Sequence, residues 1–266
     1  MRSVYTFPLC IQLSVPLSIN DPAFKAVLAL LSERSFYGVE LNLTDFENIT
    51  PKEVLAVLRP FNLRLTMIAS GGWAKKNHVS LSQPDEKERN RSVCQVKKVI
   101  SYAGELGSGV IFGFAKGEAS IPKAQAVESF GKSMDELSDF SRQHNVTLLI
   151  EATNHYEAPV ANTLSQAAEF AGYSVNILPD TYHMNIEEAD WRAALRKYSG
   201  LYKSIHISDN NRYFPGFGGI NFREVFSFLK EIDYRGLVSV EGNVFDNLHS
   251  DIIKTSEYLR EISAGL

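Results

Sequence analysis

Four short apolar runs in the second half of the chain each carry a side chain that could ligate a metal or move a proton: Leu-Leu-Ile-Glu151, Ile-Leu-Pro-Asp180, Ile-His206-Ile and Val-Ser-Val-Glu241. They stand 29, 26 and 35 positions apart, about the length of one strand, one helix and their connections. Three carboxylates and an imidazole make a hard, oxygen-rich donor set suited to Mn²⁺, Co²⁺ or Mg²⁺ rather than to structural zinc. Taken singly, each has a plainer explanation: a strand-end acid often caps the following helix or meets solvent, and a lone histidine is often a satisfied core residue. Four in equivalent places on consecutive strands are poorly explained that way. Three acids crowded at an apolar mouth repel one another unless a cation compensates them, so Glu151, Asp180, His206 and Glu241 are expected to share one divalent ion.

The elements that must position them are legible from hydrophobic pattern. Eight short apolar runs recur at 6–13, 38–43, 64–68, 109–114, 147–150, 174–178, 202–207 and 237–240, mostly continuous rather than alternating, as parallel strands buried on both faces must be. Longer amphipathic stretches separate them. In 93–106, for example, Val96, Val99, Ile100, Ala103 and Leu106 share a helical face. Asn221 is placed to cap a helix over 222–232, and glycines 104, 107 and 109 stand where a helix should turn into a strand. Alternating strand and helix leave an open doubly wound sheet or a closed barrel; the count of eight, and 266 residues dividing into units of about 33, favour a (β/α)8 TIM barrel. No linker or composition shift divides the chain, which is read as a single barrel domain over 1–266. Its longest insertion, 69–90, is polar and glycine-containing and is expected to form a lid or rim loop. In such a barrel, reactive groups gather where strands end at the C-terminal face, which is where these four residues fall.

A second set of residues follows at short offsets. The chain reads Glu151-Ala-Thr-Asn-His-Tyr-Glu157, Asp180-Thr-Tyr-His183, His206-Ile-Ser-Asp-Asn-Asn-Arg212 and Val240-Glu241-Gly242, with Pro215-Gly-Phe-Gly-Gly219 leading into Ile220-Asn221-Phe222. In these motifs it resembles the ketose 3-epimerases of the xylose isomerase-like barrels, the D-tagatose 3-epimerase and D-psicose 3-epimerase group. The match is specific over about residues 147–245 and architectural before them; Asn221 stands where relatives often carry Asp. The resemblance implies a metal-dependent enzyme, Mn²⁺ first among the candidate ions, that inverts C3 of a free ketose through a cis-enediolate. Glu151 and Glu241 would bind the metal and act as the acid/base pair. His183 and Arg212 would hold the carbonyl end of the sugar, and Glu157 its terminal hydroxyls. A sugar or keto-acid isomerase of the hydroxypyruvate type, or an inosose-type dehydratase, remains open on the same site.

Composition narrows the partners. With 27 Lys+Arg against 31 Asp+Glu, a net charge of −4 and no basic tract, nucleic acid is not expected as a partner. An abasic-site endonuclease of related fold would also need more than the six histidines present. No run approaches the length of a membrane span, and residues 1–20, broken by Pro8, Gln12 and Pro16, read as the first buried strand rather than a signal peptide. Cys10 and Cys94 lie far apart, outside any Cys-x-x-Cys, which fits a reduced, cytoplasmic setting. The partner expected is a small sugar, and a homodimer or homotetramer is compatible with the sequence. Smaller features are read cautiously. The loop 216–219 is taken as a tight turn rather than a phosphate cradle, Trp73 as either rim packing or a sugar-stacking ring, His155 as solvent-facing, and His78, His144 and His249 as surface residues.

Overall fold

The computed structural model describes residues 4–266; residues 1–3, the start of the stretch read as leading into the first strand, lie outside them. Eight parallel strands run in chain order: β1 (Leu9–Ser14), β2 (Gly38–Asn42), β3 (Arg64–Ala69), β4 (Gly109–Phe112), β5 (Leu148–Glu151), β6 (Val175–Leu178), β7 (Ser204–Ile207) and β8 (Leu237–Val240). Their hydrogen-bonded order is β6-β5-β4-β3-β2-β1-β8-β7, with helices between successive strands. The remaining seam, between β6 and β7, is drawn together by a single parallel bridge between Asp180 and His206. There the His206 amide donates to Pro179 O at 2.9 Å and the Ile177 amide to Leu201 O at 2.9 Å. The result is a nearly closed barrel, and two of the expected metal ligands sit at its seam.

The strands fall within a few residues of their expected places. β1 starts at Leu9 rather than residue 6, because Pro8 has no N–H to donate to a ladder. β4 ends at Phe112, where Gly113 turns the chain into the short 3₁₀ helix Phe114–Lys116. The helix expected over 93–106 is the C-terminal two thirds of Glu86–Leu106, and Gly107 ends it in the left-handed conformation (φ 63°). Asn221 caps the helix Phe222–Glu231 through a bond from the Glu224 amide to its Oδ1.

Side chains alternate across each strand. Ile111, Leu149 and Leu178, with Met67, form a small apolar cluster separate from the large one made by the helices and the outer strand faces. Leu149 and Glu151 share a face of β5, and the same step of two carries Leu178 to Asp180. The apolar floor and the acidic ligands therefore belong to one set of inward positions. The 69–90 insertion folds into a helix, Gly71–Lys76, and a return segment held by bonds from Leu81 N–H to Ala115 O (2.9 Å) and Ser82 N–H to Lys116 O (3.1 Å). It forms part of the rim.

Candidate active site

The Asp-x-x-His spacing has a local cause. Asp180 is the N-cap of the helix Thr181–Glu187, its Oδ1 accepting from the amides of Tyr182 (2.7 Å) and His183 (3.3 Å). The cap fixes that oxygen, leaves Oδ2 to face the barrel mouth, and sets His183 in the first turn beside it. Capping thus occupies one oxygen of this carboxylate and leaves the other to the cluster. Arg212 arrives by a tight turn: its amide donates to Asp209 O (2.9 Å), and it takes a left-handed backbone (φ 63°). The guanidinium then reaches back to Asp180 Oδ2 (2.6 Å), Ser208 Oγ (2.9 Å) and Glu241 Oε2 (3.0 Å).

His206 is the centre of the cluster. Its Nδ1 lies 2.7 Å from Glu241 Oε2, 3.2 Å from Glu151 Oε1 and 3.9 Å from Asp180 Oδ2. Its Nε2 meets Glu40 Oε2 at 2.8 Å, with both side chains fully buried. Glu40, in the middle of β2, is a residue the sequence reading did not single out, although a lone carboxylate inside the apolar run Gly-Val-Glu-Leu-Asn was its signal. One ligand atom from each of Glu151, Asp180, His206 and Glu241 lies within 4.8 Å of the others. With Glu40 accepting from Nε2, Nδ1 and the carboxylate oxygens face one another across a buried space. That arrangement fits a single divalent cation.

Charge in the cluster is uneven. Burial and the neighbouring Glu241 push the Glu151 carboxyl up. Burial acts on Glu241 in the same sense, but Arg212 and His206 outweigh it and hold that carboxyl well below the usual range. Burial opposes protonation of His206, yet Glu40 and Glu241 raise it well above the ordinary imidazole value. Gly113 makes room for Glu151, since a Cβ there would stand 2.5 Å from Glu151 Oε2. Behind Glu151 is a second residue not singled out from the sequence, Lys116, and this one had no sequence signal. Fully buried, it donates to Glu151 O (2.6 Å) and Ala161 O (3.2 Å), and burial lowers its ammonium to about 7 against the pull of Glu151 and Glu157.

A cavity of about 180 Å³ brings together Glu151, Glu157, His183, Arg212 and Glu241, with Gln12, Asn42, Gly71, Gly72, Lys75, Phe114 and Thr153 on its other walls. Asp180 and His206 lie at the same cluster, fully buried. Thr153 Oγ1 and His183 Nε2 are buried without partners and belong to cavity-lining residues. A larger cavity, about 360 Å³, lies among Met184, Trp191, Leu195 and Val225 and holds none of the clustered acids, of which Glu151 and Glu241 line the smaller one. The N-terminal half thus contributes more to the site than the sequence reading foresaw.

Other expectations resolve by packing. Trp73 is buried edge-on against Phe46 (centroids 5.7 Å) and is not on the cavity wall, so it is rim packing. The 216–219 loop is a tight structure wrapped on an anion the chain already supplies: the amides of Gly216, Gly218 and Ile220 donate to the buried Asp209 carboxylate at 2.8–3.1 Å. His155 is exposed and pairs with Glu187 at 2.5 Å on the rim. His78 and His249 are exposed, whereas His144 is half-buried, stacked on Phe140 with its Nδ1 2.9 Å from Phe140 O. Both cysteines are free. Among the described residues no helix is long and apolar enough to cross a membrane.

A family model described as the xylose isomerase-like TIM barrel matches residues 28–262. The chain belongs to this family. Among the curated relatives of this xylose isomerase-like barrel, 3-dehydro-D-guloside 4-epimerase of Escherichia coli is 27% identical over 230 residues, covering 80% of this chain and 85% of the relative. A D-psicose 3-epimerase of Enterocloster bolteae is 26% identical over 233 residues, 82% of this chain and 76% of the relative. An L-ribulose 3-epimerase structure superposes with a TM-score of 0.82 at 20% identity, covering 96% of this chain and 94% of that one. The structure of a family 2 AP endonuclease from Brucella melitensis also superposes, with a TM-score of 0.73 at 21% identity, covering 95% of this chain and 99% of that one. The fold is therefore shared by proteins of different names, and the choice among activities falls to the site.

Proposed function

We propose that this barrel is a divalent-metal-dependent epimerase that inverts the carbon beside the carbonyl of a free ketose, C3 of the sugar. The observation that carries the reading is the convergence of Glu151 and Glu241 on one His206 nitrogen, at 3.2 and 2.7 Å, with Glu157, His183 and Arg212 on the same cavity wall. Relatives named as epimerases of ketoses support it. Glu151, Asp180, His206 and Glu241 would hold the ion, Mn²⁺ being the best match to the donor set; when bound it acidifies the C–H beside the carbonyl and stabilises the developing negative charge. Glu151 and Glu241 arrive from the ends of β5 and β8. One accepts the C3 proton and the other delivers a proton to the opposite face, and the reverse reaction exchanges their roles. His183 and Arg212 donate to the oxygens at the carbonyl end, and Glu157 accepts from a hydroxyl.

A second reading uses the same two carboxylates on a keto sugar whose carbonyl lies within the ring, with inversion at C4. It is motivated by the E. coli 4-epimerase, 27% identical over 80% of this chain. NMR of free ketoses and 3-keto glycosides incubated with the Mn²⁺-loaded protein separates the two: the proposal expects paired C3 epimers from a ketose. Aldose or dehydrated products, or no reaction with any ketose, would reject it.

A further inference from the structure

Between the two substrate-facing motifs lies a residue that neither the cavity nor the metal cluster contains. Asn154 is fully buried and is not on the cavity wall. Its own amide N–H donates to His183 Nδ1 at 3.2 Å. A backbone N–H can only donate, so His183 Nδ1 must accept, and its lone pair is committed there. The side chain repeats the message. Asn154 Oδ1 accepts from the Tyr156 amide at 3.0 Å, which fixes the orientation of the carboxamide and turns its NH₂ the other way. That NH₂ lies 2.8 Å from His183 Nδ1 and 3.1 Å from Glu157 Oε1.

We propose that Asn154 is a positioning residue that holds His183 with its ring proton on Nε2 and couples it to Glu157. Two donors converge on Nδ1, so a proton there would face two N–H groups; the ring proton sits on Nε2. His183 Nε2 is buried without a partner, and the nearest carboxylate oxygen, Glu151 Oε1, is 3.9 Å away, beyond hydrogen-bonding range. His183 therefore presents its Nε2–H to the cavity as a hydrogen-bond donor. The second hydrogen of the same NH₂ orients Glu157, so one amide sets the direction of both side chains. The functional half of this inference rests on the proposed epimerase reading, in which His183 and Glu157 touch the sugar. The tautomer half does not.

The test uses the full-length protein, ¹⁵N-labelled and loaded with diamagnetic Mg²⁺. Long-range ¹H–¹⁵N spectra report the protonation of each histidine nitrogen, with His183 assigned by its loss in His183→Gln. The wild type is expected to show His183 with unprotonated Nδ1 and protonated Nε2 near neutral pH. Asn154→Asp replaces the donor with an acceptor and should move the proton to Nδ1, or protonate both nitrogens, and lower kcat at least tenfold with D-psicose as the assay sugar. Asn154→Ser keeps only the backbone donor. It should retain the tautomer and show its loss mainly as a raised KM, and it serves as the informative variant if the aspartate protein does not fold. A wild-type His183 protonated at Nδ1 would overturn the proposal. So would an Asn154→Asp protein whose tautomer is unchanged, or one whose tautomer shifts while kcat/KM stays within twofold of wild type. If D-psicose is not turned over by the wild type, the epimerase reading suffers, while the spectra still decide the tautomer.

Discussion

His206 Nε2 stands 2.8 Å from Glu40 Oε2, and neither side chain is exposed to solvent. The pairing spends the Nε2 proton on Glu40 and leaves Nδ1 turned toward Glu151, Asp180 and Glu241. A carboxylate behind a ligating imidazole orients the ring and raises its basicity, and losing it commonly costs ~10–100-fold in metal affinity. Glu40→Gln is expected to weaken Mn²⁺ binding by that factor in calorimetric titration, while the wild type binds about one ion per chain. Chelation should lower the wild-type melting temperature, because only the folded chain presents the site. Unchanged affinity in the variant, or two ions per wild-type chain, would refute the assignment.

The pairing of Glu151 with Glu241 makes a sharper demand. Replacing either with Gln should reduce net epimerisation by ~10²- to 10⁴-fold, the usual worth of a positioned acid or base. The surviving carboxylate can still remove a proton from the epimer that presents one to its face and return it there. In D₂O each variant should therefore place deuterium at C3 of one epimer only, and the two variants should select opposite epimers. One substitution that abolishes exchange in both epimers, in protein that keeps its metal, would indicate a single base.

Lys75 bears on the choice of sugar. The acidic motifs disfavour a phosphate dianion, and in sequence only Arg212 and Arg223 follow them closely enough to offset that charge. Arg223 is not on the cavity wall, and Lys75 is, its ammonium 3.4 Å above the Phe114 ring. Arg212 is already paired with Asp180 and Glu241, which leaves one lysine opposite Glu151, Glu157 and Glu241. Free ketoses should still exceed their phosphates in kcat/KM by tenfold or more. Lys75→Ala should raise KM roughly three- to tenfold at nearly constant kcat, the pattern of a lost uniform binding contact. A phosphorylated sugar preferred tenfold would refute the charge argument.

The two thiols should differ in reactivity. Cys10 is fully buried, and burial followed by the charge of Glu40 pushes its thiol far up, so that the reactive thiolate is suppressed. Cys94 is exposed. An alkylating reagent at mildly alkaline pH should modify one thiol per folded chain, at Cys94, and two after denaturation. Rapid labelling of Cys10 in folded protein would show that the β1–β2 interior opens.

The strand-and-helix alternation and the four candidate ligands on successive strands were legible in sequence because both are local: continuous apolar runs mark strands buried on two faces, and the acids sit at their ends. The short-range motifs were legible for the same reason. Asp180 and His183 are linked by one helix cap, and Glu151 to Glu157 span one loop. Glu40, Lys116 and Lys75 reach the site from β2, from the turn after β4 and from the inserted helix. Nothing in their neighbouring residues reports what stands across the barrel, 166 positions away in the case of Glu40 and His206. Trp73 shows the same limit from the other side, since whether it faces a sugar or Phe46 depends on how the rim packs. The sequence by itself determined the repeat and the kinds of chemical group delivered to the mouth. Barrel closure decided which oxygen each histidine nitrogen meets, because closing the sheet brings β2, β5, β7 and β8 to one centre, and that pairing sets tautomer and charge.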